Sequence, residues 1–150
     1  MHTAILPVFP PLLIFVSANM PTPSPADLLL TVAEPTRLRI LNCLAAAPLF
    51  VSDLQAVLEL PQPTVSRHLQ VLRRADLVRD TPIAQFVLYR LRREPGPPGR
   101  MLTAILEAVR NDDEMRAERD RAVDRSRSHT TTRVLPPPET RPSLRSKAPS

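Results

Sequence analysis

The sequence predicts a mainly α-helical (α+β) domain in which four helices precede a β-hairpin and a fifth helix follows it. Three observations predict it. Apolar residues recur at helical spacing in separate runs between residues 26 and 75. Two short β-prone runs then flank Thr81-Pro82-Ile83-Ala84. An apolar stripe at helical spacing returns in Met101, Leu102, Ile105, Leu106 and Val109.

Residues 26–33 read as a short apolar helix. Pro35 sits where a second helix starts and its missing N–H costs nothing. Thr36 to Ala46 continues it, with Leu38, Ile40, Leu41 and Leu44 on an apolar face. Ser52 to Leu58 is the third helix, with Leu54, Val57 and Leu58 inward. The fourth covers Gln62-Pro63-Thr64-Val65-Ser66-Arg67-His68-Leu69-Gln70-Val71-Leu72-Arg73-Arg74 and ends near Ala75. Leu77 to Asp80 and Gln85 to Leu91 form the hairpin strands. Residues 95–99 are a Pro-Gly linker into the fifth helix, which fades into charged residues 110–125. Three helices and a hairpin in this order make a winged helix-turn-helix, and the helices flanking it retain apolar faces to bury.

The fourth helix carries the chemistry. Val65, Leu69 and Leu72 are spaced i, i+4, i+7 and form a buried stripe. The opposite face holds Thr64, Arg67 and Arg74, edged by Ser66, Gln70 and Arg73. Such a helix presents its N-terminal residues to base edges of DNA. Arg67 suits a guanine's O6 and N7, and Gln62 suits adenine. Thr64 and Ser66 reach phosphates or bases, while Arg73, Arg74 and Arg79 suit phosphates. Alone, the helix would be an ordinary basic surface. The tight bend at Leu58-Glu59-Leu60 and the hairpin behind it point to double-stranded DNA. His68, near the apolar stripe, reads as structural.

Charge is uneven across the 150 residues, whose net charge is +5. Residues 34–93 carry nine Arg against five acids, and residues 94–124 carry five Arg against eight. Residues 125–150 carry five Arg and one Lys against one Glu. The first segment suits a polyanionic partner. Cys43 is the single cysteine, which excludes an internal disulfide and fits a cytoplasmic protein. Enzyme chemistry lacks its parts: there is no glycine-rich phosphate loop and no nucleophile with an adjacent base. Residues 1–24 are an apolar, proline-rich extension without the basic residues of a secretory signal. They read as a misassigned start, with Met20 as the first residue, or as an arm meeting a partner or membrane. Residues 25–112 form the domain. Residues 113–150 are expected to be a charged helix end and a disordered basic tail.

Glu34-Pro35-Thr36-Arg37-Leu38-Arg39-Ile40-Leu41, Val51-Ser52-Asp53-Leu54, Gln62 to Leu69, Ala75-Asp76-Leu77-Val78 and Tyr89-Arg90-Leu91 together resemble the ArsR-like (ArsR/SmtB-type, arsenical-resistance repressor) winged helix-turn-helix regulators. The resemblance covers about residues 26–110. It implies a homodimer built on the first and last helices, placing Leu28, Leu29, Met101, Leu102, Ile105, Leu106 and Val109 at the interface. It also implies a palindromic operator and repression released by an effector, here unknown. Thiolate-using members carry Cys where this chain has Phe50, Ser52 and Gln55, and residues 99–125 hold no His for a zinc site. No metal or cofactor is therefore expected. Cys43 reads as a buried structural thiol. The wing tip offers Gln85 as its obvious polar contact, since Thr81, Pro82 and Ala84 replace the usual Arg and Gly. Glu59 replaces the turn's Gly and Pro61 the helix-capping Ser. These departures leave open a second reading, a dimerising protein–protein module with reduced DNA affinity.

Overall fold

The computed structural model describes residues 23–134. The apolar extension and the basic tail, residues 1–22 and 135–150, lie outside them. Helix α1 (Pro25–Val32) starts from Ser24, whose Oγ accepts from Asp27 N (3.1 Å) while the Asp27 carboxylate accepts from Ser24 N (3.2 Å). This reciprocal cap satisfies amides the helix leaves unpaired. Helix α2 (Pro35–Ala46) starts from Glu34, whose Oε2 accepts from Arg37 N at 2.8 Å. The strand β1 (Leu49–Phe50) leads into α3 (Val51–Leu58), where the Asp53 carboxylate accepts from Phe50 N at 3.0 Å.

The turn after α3 requires a left-handed residue, and Glu59 supplies it at φ 55°, ψ 45°. Leu60 N–H then donates back to Gln55 O (3.2 Å), closing the helix end. Helix α4 (Gln62–Arg74) follows from an extended Pro61, with no side chain capping its first turn. It ends the way α3 does: Asp76 is left-handed (φ 62°) and Leu77 N donates to Leu72 O at 3.0 Å.

The wing is an antiparallel pair, β2 (Val78–Ile83) and β3 (Phe86–Leu91), with β1 on the far side of β3. Val78 faces Leu91 and Ile83 faces Phe86, so Ala84-Gln85 is a two-residue turn, with Ala84 at φ 55°. This corrects the expected connection at 81–84: Thr81 and Pro82 are strand residues. Strand β2 lies at the sheet edge, so the N–H that Pro82 lacks is not needed there.

Helix α5 (Pro97–Ala108) packs against α1 and α2. Gly99 is required in its first turn, because a Cβ there would meet Glu94 O at 1.8 Å. The core gathers Leu28, Ile40, Leu41, Leu54, Val57, Val65, Leu69, Leu72, Leu102 and Leu106 from all five helices. The larger difference from expectation follows. Asp112 does not close a fading helix; its Oδ1 accepts from Met115 N (3.0 Å) and starts a new one. Helix α6 (Asp113–Val134) runs back across α2 and α3. It shows no apolar stripe and docks largely through polar groups. Asn42 Nδ2 donates to Met115 O (2.9 Å), buried Glu118 pairs with Arg39, and Arg121 donates to Val57 O (3.2 Å). Within residues 113–150, expected to be a charged helix end and a disordered tail, the helix continues as far as Val134.

Candidate nucleic-acid interface

Helix α4 places its two faces as the spacing predicts. Val65, Leu69 and Leu72 have no exposed surface, while Gln62, Pro63, Arg67, Gln70, Arg73 and Arg74 are exposed. Fully burying three such side chains stabilises the helix's seat by about 1.5–3 kcal/mol each. The polar face therefore has a fixed bearing. Thr64 and Ser66 are half-buried, and Gln62 Nε2 donates to Ser66 Oγ at 2.8 Å. That contact sets the Gln62 amide across the first turn of α4. Arg73 Nε lies 3.1 Å from Asp80 Oδ1 in β2, which holds its guanidinium against the wing. Arg74 and Arg79 are exposed nearby. Gln85 stands exposed at the wing tip.

His68 does not share the outward face. Its Nδ1 is 3.5 Å from Glu34 Oε2, tying α4 to the start of α2. Burial raises the Glu34 carboxyl's pKa, but the amide hydrogen bonds from Arg37 and Thr36 and the charge of His68 outweigh this and leave it below the ordinary 4.5. Glu34 is thus an anionic cap near neutrality, anchoring both helices.

The positions where thiolates would sit carry other chemistry. The Phe50 ring meets Phe86 edge-on (5.9 Å between centroids) and His129 edge-on (5.2 Å). Ser52 is exposed and Gln55 half-buried on α3. No three His, Cys, Asp or Glu side chains gather among the described residues. Cys43 has no exposed surface, and burial, with Glu118 adding to it, pushes its thiol up to about 12.

The expected interface residues divide. Leu28, Leu102 and Leu106 are buried within the protomer. Leu29 (48% exposed), Met101, Ile105 and Val109 keep apolar surface outside it, as does Leu30 (72% exposed), which sequence reading passed over. His129, in the segment expected to end in a disordered tail, has its Nε2 2.7 Å from Asp53 Oδ1, at the start of α3. The residues that dock α6 had no sequence signal, because polar contacts leave no periodicity.

Two helices joined by a tight left-handed turn, the second polar outward, with a β-hairpin behind them, define a winged helix-turn-helix. Residues 34–80 match the model of the arsR family of bacterial regulatory proteins. The chain is 42% identical over 66 residues to the biofilm growth-associated repressor of Agrobacterium fabrum, covering 44% of this chain and 56% of that protein. It is 30% identical over 60 residues to the transcriptional repressor SdpR of Bacillus subtilis, covering 40% of this chain and 67% of that one. Reduced HlyU from Vibrio cholerae shares 32% identity over 67% of this chain and 95% of its own, at a TM-score of 0.49. The chain belongs to the arsR family, whose members are regulators and not enzymes. It matches between about half and two thirds of the length of these two curated relatives. Among the described residues, no helix is long and apolar enough to cross a membrane.

Proposed function

We propose that this protein is a homodimeric transcriptional repressor that binds a palindromic DNA operator through α4 and works without a metal site. The observation that carries the reading is the division of α4. Its apolar stripe is wholly buried while Gln62, Arg67, Gln70 and Arg74 face outward on a rigid seat. Gln62, Thr64, Ser66 and Arg67 occupy the first turns, where base contacts are made. Arg73, Arg74 and Arg79 supply phosphate contacts, and Gln85 is the wing's polar contribution. The repressor names of the two curated relatives support the direction of regulation.

Dimerisation is supported by the apolar side chains left open on α1 and α5: Leu29, Leu30, Met101, Ile105 and Val109. A second copy would cover them and set two α4 helices about one turn of DNA apart. The site of action would be the cytoplasm. Titrating the protein against the DNA upstream of its own gene, beside random duplex, tests the reading. We expect a preference for the upstream DNA and a steep loss of affinity with salt, because Arg–phosphate contacts release counterions. Equal affinity for both duplexes at moderate salt would leave the protein–protein module in its place.

A further inference from the structure

The end of α2, helix α5 and the first half of α6 enclose a cleft of about 200 Å³ that DNA binding does not use. Its floor is apolar: Ala45 from α2, Leu91 from β3, and Leu102 and Leu106 from α5. None of its lining residues belongs to α4. Leu91, its strand residue, pairs with Val78, at the opposite end of the hairpin from the Ile83–Phe86 tip pair.

Three arginines reach this cleft from separate segments: Arg93 after β3, Arg110 just past α5, and Arg119 on α6. Their backbones are held in place. Arg110 N–H donates to Glu107 O at 3.1 Å, turning the chain back over the end of α5. Arg119 follows Glu118, whose burial against Arg39 fixes the bearing of α6, together with the bond from Asn42 to Met115 O. Arg93 Nη2 lies 3.5 Å from Ala45 O. Among the described residues, none of the three arginines is in an ion pair. The cleft's fourth cation, Arg92, is already taken by Asp76 and Glu94, and Glu107 is the further carboxylate. Three unpaired guanidiniums against one carboxylate leave an excess of two positive charges over an apolar floor. The carbonyls at the end of α2 offset about half a charge of this. Beyond Arg110 and Arg119 the cleft adjoins a polar hollow of about 430 Å³, where Asp120 also stands, so the excess is greatest in the smaller space.

That combination suits an anion with an apolar body: a carboxylate set among guanidiniums, its hydrocarbon part on the leucines. The volume lies below the roughly 300–1,000 Å³ of drug-sized sites, so the ligand is small. Helix α5 is a wall of the cleft through Leu102, Leu106 and Thr103, while Met101, Ile105 and Val109, proposed to meet a second copy, lie on its other flank. An occupant held between α5 and α6 therefore bears on the helix that would set the spacing of two copies.

We propose that this cleft binds a small apolar monocarboxylate, and that its occupant is the effector that changes DNA binding by shifting α5. The effector role rests on the repressor reading; the binding site does not.

Isothermal titration of the full-length chain at constant ionic strength tests the site, with phenylacetate and hexanoate as probes beside their neutral amides and inorganic phosphate. At least one carboxylate should saturate at one per chain, with its amide and phosphate about tenfold weaker or more. Arg110→Gln with Arg119→Gln should weaken that carboxylate about tenfold or more, leaving DNA affinity without the probe unchanged. Arg110→Lys with Arg119→Lys should keep most of the affinity, which separates charge from folding. No binding of either carboxylate, equal binding of the amides, or undiminished binding in the double Gln variant would overturn the site. Phosphate binding as tightly would reduce the cleft to an adventitious ion site only and overturn the ligand class. A saturating carboxylate should change affinity for the upstream DNA about fivefold or more. No change there would overturn the effector role while the repressor reading stands. A wild-type chain that shows no preference for upstream DNA would overturn the repressor reading and the effector role, and the titration alone would still decide the site.

Discussion

Arg67 is exposed on the outward face of α4, between the buried Val65 and Leu69, so its guanidinium projects from a helix that cannot roll. If it forks onto a guanine, Arg67→Ala should cost about 1–3 kcal/mol of operator affinity and relax discrimination at one base position. Fluorescence anisotropy with single-base operator variants measures both; unchanged affinity would remove Arg67 from the base contacts. Cys43 shows the opposite case, a reactive group kept out of chemistry. Its pKa is pushed up to about 12 from the ordinary 9.0, chiefly by burial. The folded thiol should resist alkylation at neutral pH and react only on unfolding. Linkage follows from the same shift. Between pH 9 and 12 the unfolded thiol ionises first, so the folded state holds more protons and stability falls as pH rises. Cys43→Ser should flatten that part of the pH–stability curve, read by urea melts. Glu59 belongs at this scale too. A non-glycine residue in the left-handed region costs about 1–2 kcal/mol, and the buried faces of α3 and α4 on either side hold the turn regardless.

Among the elements, α4 was legible because burial of one face leaves a periodic trace, and the structure returns it within a residue at either end. The wing was legible as a hairpin but misplaced at its tip. Pro82 reads as a turn former, yet an edge strand tolerates a missing donor, and the positive φ fell to Ala84, a residue with no turn signature. Helix α6 was not legible as a docked element. Its seat on α2 and α3 depends on Glu118, Asn42, Arg121 and His129, whose partners lie more than sixty residues away in sequence. Hydrophobic patterning has no view of such pairs. The same contacts predict their own cost. Glu118 is wholly buried against an Arg39 that is about a quarter exposed. Glu118→Ala should destabilise the protein by about 3 kcal/mol, the low end for a broken buried pair because Arg39 keeps some solvent. Chemical denaturation reads this directly, and a loss below about 1 kcal/mol would show that α6 contributes little to the fold.

For the molecule as a whole, the fold places its functions on separate surfaces. The outward face of α4 carries the candidate base contacts, and α1 with α5 retains the apolar side chains proposed to meet a second copy. The proposed dimer face was only half legible in sequence. Spacing identified the apolar residues of α1 and α5 but not which of them the protomer uses for itself; Leu28, Leu102 and Leu106 turned inward, and Leu30 stayed out. The central claim is that two α4 helices read DNA together. Hydroxyl-radical footprinting on the DNA upstream of the gene tests it most directly. The account predicts two protected stretches centred about 10–10.5 base pairs apart, related by an inverted repeat and lost together in Arg67→Ala. A single protected stretch, or protection that survives Arg67→Ala unchanged, would contradict it.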